Sequence, residues 1–225
     1  VRTCSLTEMK YSPDATQFTL CSPTADEVRL MLYDAGDGGH AYETVAMSPA
    51  ENGTWTAKVE QDLKGKFYTF NVKIDGKWLG DTPGINAHAV GVNGKRAAII
   101  DMRETDPEGW EEDQRPPLAS PADVIIYEVH HRDFSVDPSS GIKNKGKFLA
   151  MTETGTVSPD KLATGIDHLK ELGVTHVHIL PSYDYASVDE TKLDENKYNW
   201  GYDPQNYNVH DGSYTTDPYK PNVRN

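Results

Sequence analysis

The sequence predicts an antiparallel β-sandwich over residues 1–103, then a parallel β-helix-β unit over 123–225, with a linker at 104–122 between them. Three observations carry this. The first hundred residues hold short alternating apolar segments divided by turn signals. Glu104 to Ala122 is acidic and proline-rich, without apolar periodicity. Beyond it, continuous apolar runs flank a helical pattern, as strands buried on both faces require.

In the sandwich, Phe18 and Leu20 alternate with Gln17 and Thr19, and Leu30 and Leu32 alternate with Met31 and Tyr33. Asp34 to Gly39 ends that strand. The alternation continues around Trp55 and from Lys66 to Ile74. Asp75-Gly76 is then a two-residue hairpin signal, leading into a strand that carries Trp78. Trp55, Tyr68 and Trp78 have the residue types of a sugar platform, although aromatic residues in a sandwich more often fill its core or an interface. Within the linker, Trp110 is expected to dock on a neighbouring surface.

In the second part, Val124 to Tyr127 reads as a buried parallel strand. Ser158-Pro159-Asp160 reads as N-cap, N1 proline and first-turn acid of a helix whose apolar face is Leu162, Ile166, Leu169 and Leu172. Gly173 ends it, and Val174 to Leu180 supplies the next strand, completing one βαβ unit.

Composition is that of a globular chain, with 36% hydrophobic and 25% charged residues among 225. A formal net charge of −13 argues against nucleic acid and against an anionic membrane surface, both of which draw on clustered Lys and Arg. No stretch approaches the roughly eighteen apolar residues of a spanning helix. Cys4 and Cys21 admit one local disulfide in an oxidising compartment or two thiols.

The most informative run is Tyr198-Asn199-Trp200-Gly201-Tyr202-Asp203-Pro204. Aromatic faces cover the C–H faces of pyranose rings, and amide and carboxylate groups bond their hydroxyls. Gly201 and Pro204 set a backbone foreign to regular structure. With Val124 to Ser135, Gly165 to Glu190 and Gln205 to Tyr219 around it, this run closely resembles type I pullulanases, the starch-debranching members of the α-amylase family, glycoside hydrolase family 13.

The resemblance implies that the sandwich is similar to carbohydrate-binding module family 48 and that residues 123–225 open a (β/α)8 barrel. Asp81 to Met102 resembles the end of that module, departing from its pattern at Thr82 and Gly84, which puts binding by this loop in doubt. The seven-residue run would lie at the C-terminal mouth of the barrel, where active sites of that fold are built. By resemblance, Tyr202 stacks on the sugar in the subsite of the cleaved glucose. Trp200 and Asn199 shape the same cleft, and Tyr198 and Asp203 support the loop.

The implied activity is retaining hydrolysis of α-1,6-glucosidic linkages in an α-glucan such as pullulan or branched starch oligosaccharides. The family's catalytic carboxylates follow later barrel strands, so no catalytic residue is expected in this chain, which is expected to be inactive alone. Two strands cannot close a barrel, and a C-terminal polypeptide is expected to complete it. The alternative is a noncatalytic carbohydrate-binding fragment. The resemblance also leans toward an extracytoplasmic location.

No metal or other cofactor is expected. Adjacent His130 and His131 point to opposite faces of a strand, and His176 with His178 lacks an evident third ligand. The acidic run Asp184 to Glu195 reads as a solvated loop; its Asp and Asn residues suit calcium chemically but form no ordered ligand repeat.

Overall fold

The structure is a computed structural model and describes residues 7–224. Any Cys4–Cys21 pairing therefore lies outside the described residues. The first nine strands are β1 (Met9–Lys10), β2 (Thr16–Cys21), β3 (Glu27–Tyr33), β4 (Glu43–Ala46), β5 (Ser48–Pro49), β6 (Thr54–Val59), β7 (Phe67–Ile74), β8 (Lys77–Trp78) and β9 (Ala97–Ala98). They form two antiparallel sheets, ordered β1-β2-β6-β5 and β4-β3-β7-β8, with β9 also on β7.

Alternation sends Val28, Leu30 and Leu32 of β3 inward, where they meet Phe18, Tyr68 and Phe70. Tyr68 lies edge-on to both phenylalanines, with centroids 5.0 Å and 5.5 Å apart. The β7–β8 hairpin turns at Asp75 and Gly76, both with positive φ, as a two-residue turn of this twist requires.

Tyr68, Trp55 and Trp78 do not make one open platform. Tyr68 is in the core and donates its hydroxyl to buried Glu8. Half-buried Trp55 gives its ring N–H to the Ser22 carbonyl, and Trp78 is covered by the Arg29 guanidinium 4.0 Å from its ring centre.

The stretch 104–122 contains only isolated 3-10 turns. Trp110 remains 58% exposed, beside a hollow it shares with His88, Met102 and His210.

The second part has a parallel pair, β10 (Ile126–Val129) and β11 (His176–Ile179), joined through helix α1 (Gly165–Leu172). The paired register starts at Ile126, later than the apolar run suggests; Ile125 precedes it, its amide donating to the Thr175 hydroxyl and its carbonyl accepting the Thr175 and His176 amides. The helix also starts later, at Gly165. Ser158 to Lys161 is a closed turn, with the Lys161 amide on the Ser158 carbonyl, Lys161 at φ +61° and a bridge between Val157 and Ala163. Gly173 does end it, in the left-handed conformation with its amide on the Lys170 carbonyl.

An antiparallel pair follows that the periodicity did not announce, β12 (Tyr183–Tyr185) with β13 (Pro204–His210), then a short terminal turn α2 (Pro221–Arg224). Among the described residues no helix is long and apolar enough to cross a membrane.

Candidate functional site

The loop Tyr198–Asp203 rests on the C-terminal ends of the two parallel strands. His130, the residue after β10, donates Nε2–H to the Asn199 carbonyl oxygen at 2.7 Å. Gly201 lies against the Pro181 carbonyl, just beyond β11, and has φ +89°. A Cβ there would run into that oxygen, so both the backbone angle and the close approach demand glycine.

Asn199 is used inward, its side-chain oxygen accepting the Gly201 amide at 2.6 Å. Asp203 accepts from the Ser187 hydroxyl, and its backbone oxygen accepts the Ala186 amide. Partial burial pushes the Asp203 carboxyl up, but hydrogen bonds from Ser187, Asn199 and the backbone outweigh it and hold it below the usual carboxylate range. Tyr198 lies over the His130 ring at 4.8 Å, and Trp200 meets Tyr198 edge-on at 5.8 Å. Tyr202 and Trp200 are left 68% and 60% exposed. The loop thus fixes its polar groups internally and presents two aromatic rings outward, an arrangement suited to stacking on sugar.

Beneath it lies an aromatic cluster. His131 meets Phe148 edge-on at 4.7 Å and Tyr214 at 5.2 Å, and Tyr214 adjoins His130 and Tyr185. Both histidines are buried, and each Nδ1 has no hydrogen-bond partner. Burial, with His130 and His210 nearby, pushes the His131 pKa down to about 4, so its ring is neutral at pH 7.

Asp184 and Glu190 are not solvated, as the acidic run suggested. Both are buried with Asp211 and Arg224. The Arg224 guanidinium donates to Asp184 at 2.5 Å and to Glu190 at 2.6 Å. Glu190 also accepts the amides of Asn93 and Gly212, and Asp184 accepts from Asn206. Oxygens of Asp184, Glu190 and Asp211 lie within 4.8 Å of one another, close enough for a metal ion. The guanidinium already occupies two of these carboxylates as their cation. Asp211 has no such partner, and burial, with repulsion from Glu190, raises it to about 6 against the hydrogen bonds it accepts from Ser213 and Tyr185. Burial raises Asp184 to about 7, against the opposing pull of Arg224.

His176 and His178 are not brought to this cluster. His178 faces Glu128 across the parallel pair at 3.1 Å, and His176 bonds the Thr175 hydroxyl.

Comparison with known proteins places these features in context. Residues 7–90 match the model for carbohydrate-binding module 48 (isoamylase N-terminal domain). The chain is 38% identical over 215 residues to a pullulanase of Bacillus subtilis (strain 168), an alignment covering 95% of this chain and 29% of that protein. The pullulanase of Paenibacillus barengoltzii, solved in complex with maltohexaose and α-cyclodextrin, is 52% identical and superposes with a TM-score of 0.95 over 99% of this chain and 34% of its own. That from Bacillus acidopullulyticus is 45% identical, with a TM-score of 0.89 over 95% of this chain and 26% of its own. The chain thus spans about a third or less of the length of these relatives.

Proposed function

Because this chain is a relative of the pullulanases over nearly its whole length, with a carbohydrate-binding module 48 at residues 7–90, we propose that it supplies the sandwich and one wall of the active-site mouth of an α-glucan debranching enzyme. The observation that carries this reading is the seating of the aromatic loop on the ends of β10 and β11, held by His130 and Pro181. Active sites of parallel barrels are built at that face.

Tyr202 stacks on the glucose at the cleavage point, and Trp200 borders the same subsite. Tyr198, Asn199 and Asp203 hold the loop in shape. Hydrolysis of the α-1,6 linkage proceeds with retention, through a carboxylate nucleophile and an acid roughly 5–5.5 Å apart, which other polypeptide contributes. The same polypeptide completes the barrel. In support, the two-stranded β10–β11 sheet leaves Ile125, Ile126 and Tyr127 exposed, a surface that a barrel strand and its helices would bury. Maltooligosaccharide complexes of related pullulanases support an α-glucan as the ligand.

The test pairs pullulan hydrolysis with denaturing mass spectrometry of every polypeptide in the purified material. Activity accompanied by barrel-completing sequence supports the enzyme. Oligosaccharide binding without hydrolysis, in material containing that sequence, would favour a noncatalytic binding protein. Tyr202→Ala is expected to weaken maltohexaose binding about three- to tenfold, from lost ring stacking.

A further inference from the structure

The seam between the sandwich and β13 holds a cleft of about 550 Å³ that shares none of the residues Tyr198 to Asp203. Its volume is within the roughly 300–1,000 Å³ usual for small-ligand sites. One wall is Ile85, which is 81% exposed, and the other is Tyr207, which is 65% exposed. The Asn208 side chain donates to the Ile85 carbonyl at 3.0 Å and ties these walls together. Together they give the cleft one aliphatic and one aromatic wall, both open to solvent.

The polar lining discriminates among ligands. Arg96 would invite an anion, but its guanidinium lies 3.7 Å from the centre of the Tyr33 ring and donates to the carbonyls of Ala35, Gly38 and Gly39. It is consumed in building the floor. Tyr33 donates its hydroxyl to Asp81 at 2.8 Å, fixing that carboxylate at the cleft. Gln205 donates its amide nitrogen to the Asn93 carbonyl and to Asp184, which leaves the amide's acceptor oxygen as its remaining function. Two further charged residues line the cleft, Lys95 and Asp37, both exposed and of opposite sign, so the lining selects no net charge; acceptors between an aliphatic and an aromatic wall suit a neutral, hydroxyl-rich ligand with apolar C–H faces.

The loop that closes one end is also prebuilt. Thr82 pairs with Phe70 through both backbone hydrogen bonds, and Gly84 lies against the buried Glu8 carboxylate, where any Cβ would collide. Glu8 in turn accepts the Asn86 amide at 3.0 Å. Thr82 and Gly84, where the sequence departs from the family pattern, are therefore fitted to this cleft's rim.

We propose that this seam is a second α-glucan seat, gripping a chain segment between Ile85 and Tyr207 with Asp81 and Gln205 accepting from its hydroxyls. That the glucan is an α-glucan rests on the proposed function above; the existence of the seat rests on the cleft itself. Because its two walls come from the sandwich and from β13, occupancy would clamp the two parts together.

The test is titration of the purified protein with maltohexaose, followed by calorimetry and by amide shifts in NMR spectra. Amides of Ile85, Arg96 and Tyr207 are expected to move as one set, separate from those of Trp200 and Tyr202. Tyr207→Ala and Ile85→Ser, both on exposed side chains, should each weaken the seam set about three- to tenfold and leave the loop set unchanged. If the seam amides do not move, or both variants bind there with unaltered affinity, the proposal fails while the loop reading survives. Seam shifts that persist without any at Trp200 and Tyr202 would overturn the loop reading and leave the seat standing.

Discussion

Gly201 holds φ +89° against the Pro181 carbonyl, so the aromatic loop depends on an absent side chain as much as on its rings. Gly201→Ala is expected to cost about 1–3 kcal/mol from backbone strain alone, measured by urea denaturation, and to weaken maltohexaose binding by displacing Trp200 and Tyr202. Buried His131 and the buried carboxylates set opposed pH dependences, Asp184, raised to about 7, acting in the same sense as Asp211. His131 is depressed to about 4 from an ordinary 6.5, so its contribution to stability is present above about pH 6.5 and is lost as pH falls through 4. Asp211 is raised from 3.8 to about 6, so its contribution is present below about pH 4 and is lost as pH rises through 6. Their slopes oppose each other between about pH 4 and 6. In His131→Phe, which suits the surrounding Phe148 and Tyr214 rings, the stability measured across that window should fall more steeply with rising pH than in the parent. An unaltered slope would mean that His131 does not titrate as placed.

At the scale of elements, α1 separates what sequence reading captured from what it did not. Its stop was readable, because Gly173 in the left-handed region is a local event. Its start was not: Ser158-Pro159-Asp160 carries helix-start chemistry, yet the chain closes a turn there and bridges Val157 to Ala163. Lys161→Gly distinguishes the two arrangements by sign. At φ +61° glycine removes left-handed strain and should raise stability by up to about 1 kcal/mol in thermal or urea unfolding, whereas inside a helix it would lower stability by about as much. The same contrast runs through the fold. The β3 alternation and the Asp75-Gly76 hairpin depend on near neighbours and were legible. The β12–β13 pair was missed because its strands are separated by an irregular stretch and its register is interrupted by bulges, which break the period-two signal. The aromatic composition of the loop pointed to a sugar site, but the inward use of Asn199 is a matter of hydrogen-bond geometry that composition does not carry.

Across the whole molecule, the two parts are fastened by charge buried at their seam. Arg224 reaches Asp184 and Glu190, and Glu190 passes the connection to the Asn93 amide on the sandwich, while Asn93 returns a bond from its side-chain oxygen to the Glu190 amide. These partners are 34 to 97 residues apart in sequence, and no local pattern marks them, which is why the acidic run looked solvated. Replacing Arg224 by methionine retains much of its volume but leaves its carboxylate partners without their cation in a dry site. Loss of one partner from such a buried group costs about 3–5 kcal/mol, far above the value of an exposed ion pair. Arg224→Met should therefore lower the urea midpoint strongly and speed amide exchange at Asn93 and Gly212, whose hydrogens both go to Glu190. Adding Glu190→Gln and Asp184→Asn should recover part of the loss, because neutral amides no longer need the guanidinium. If Arg224→Met unfolds like the parent and the Asn93 amide stays protected, the carboxylates are neutralised by protons rather than by Arg224. The seam would then be held by its neutral hydrogen bonds, chiefly those of Asn206 to Gly94 and Gln205 to Asn93.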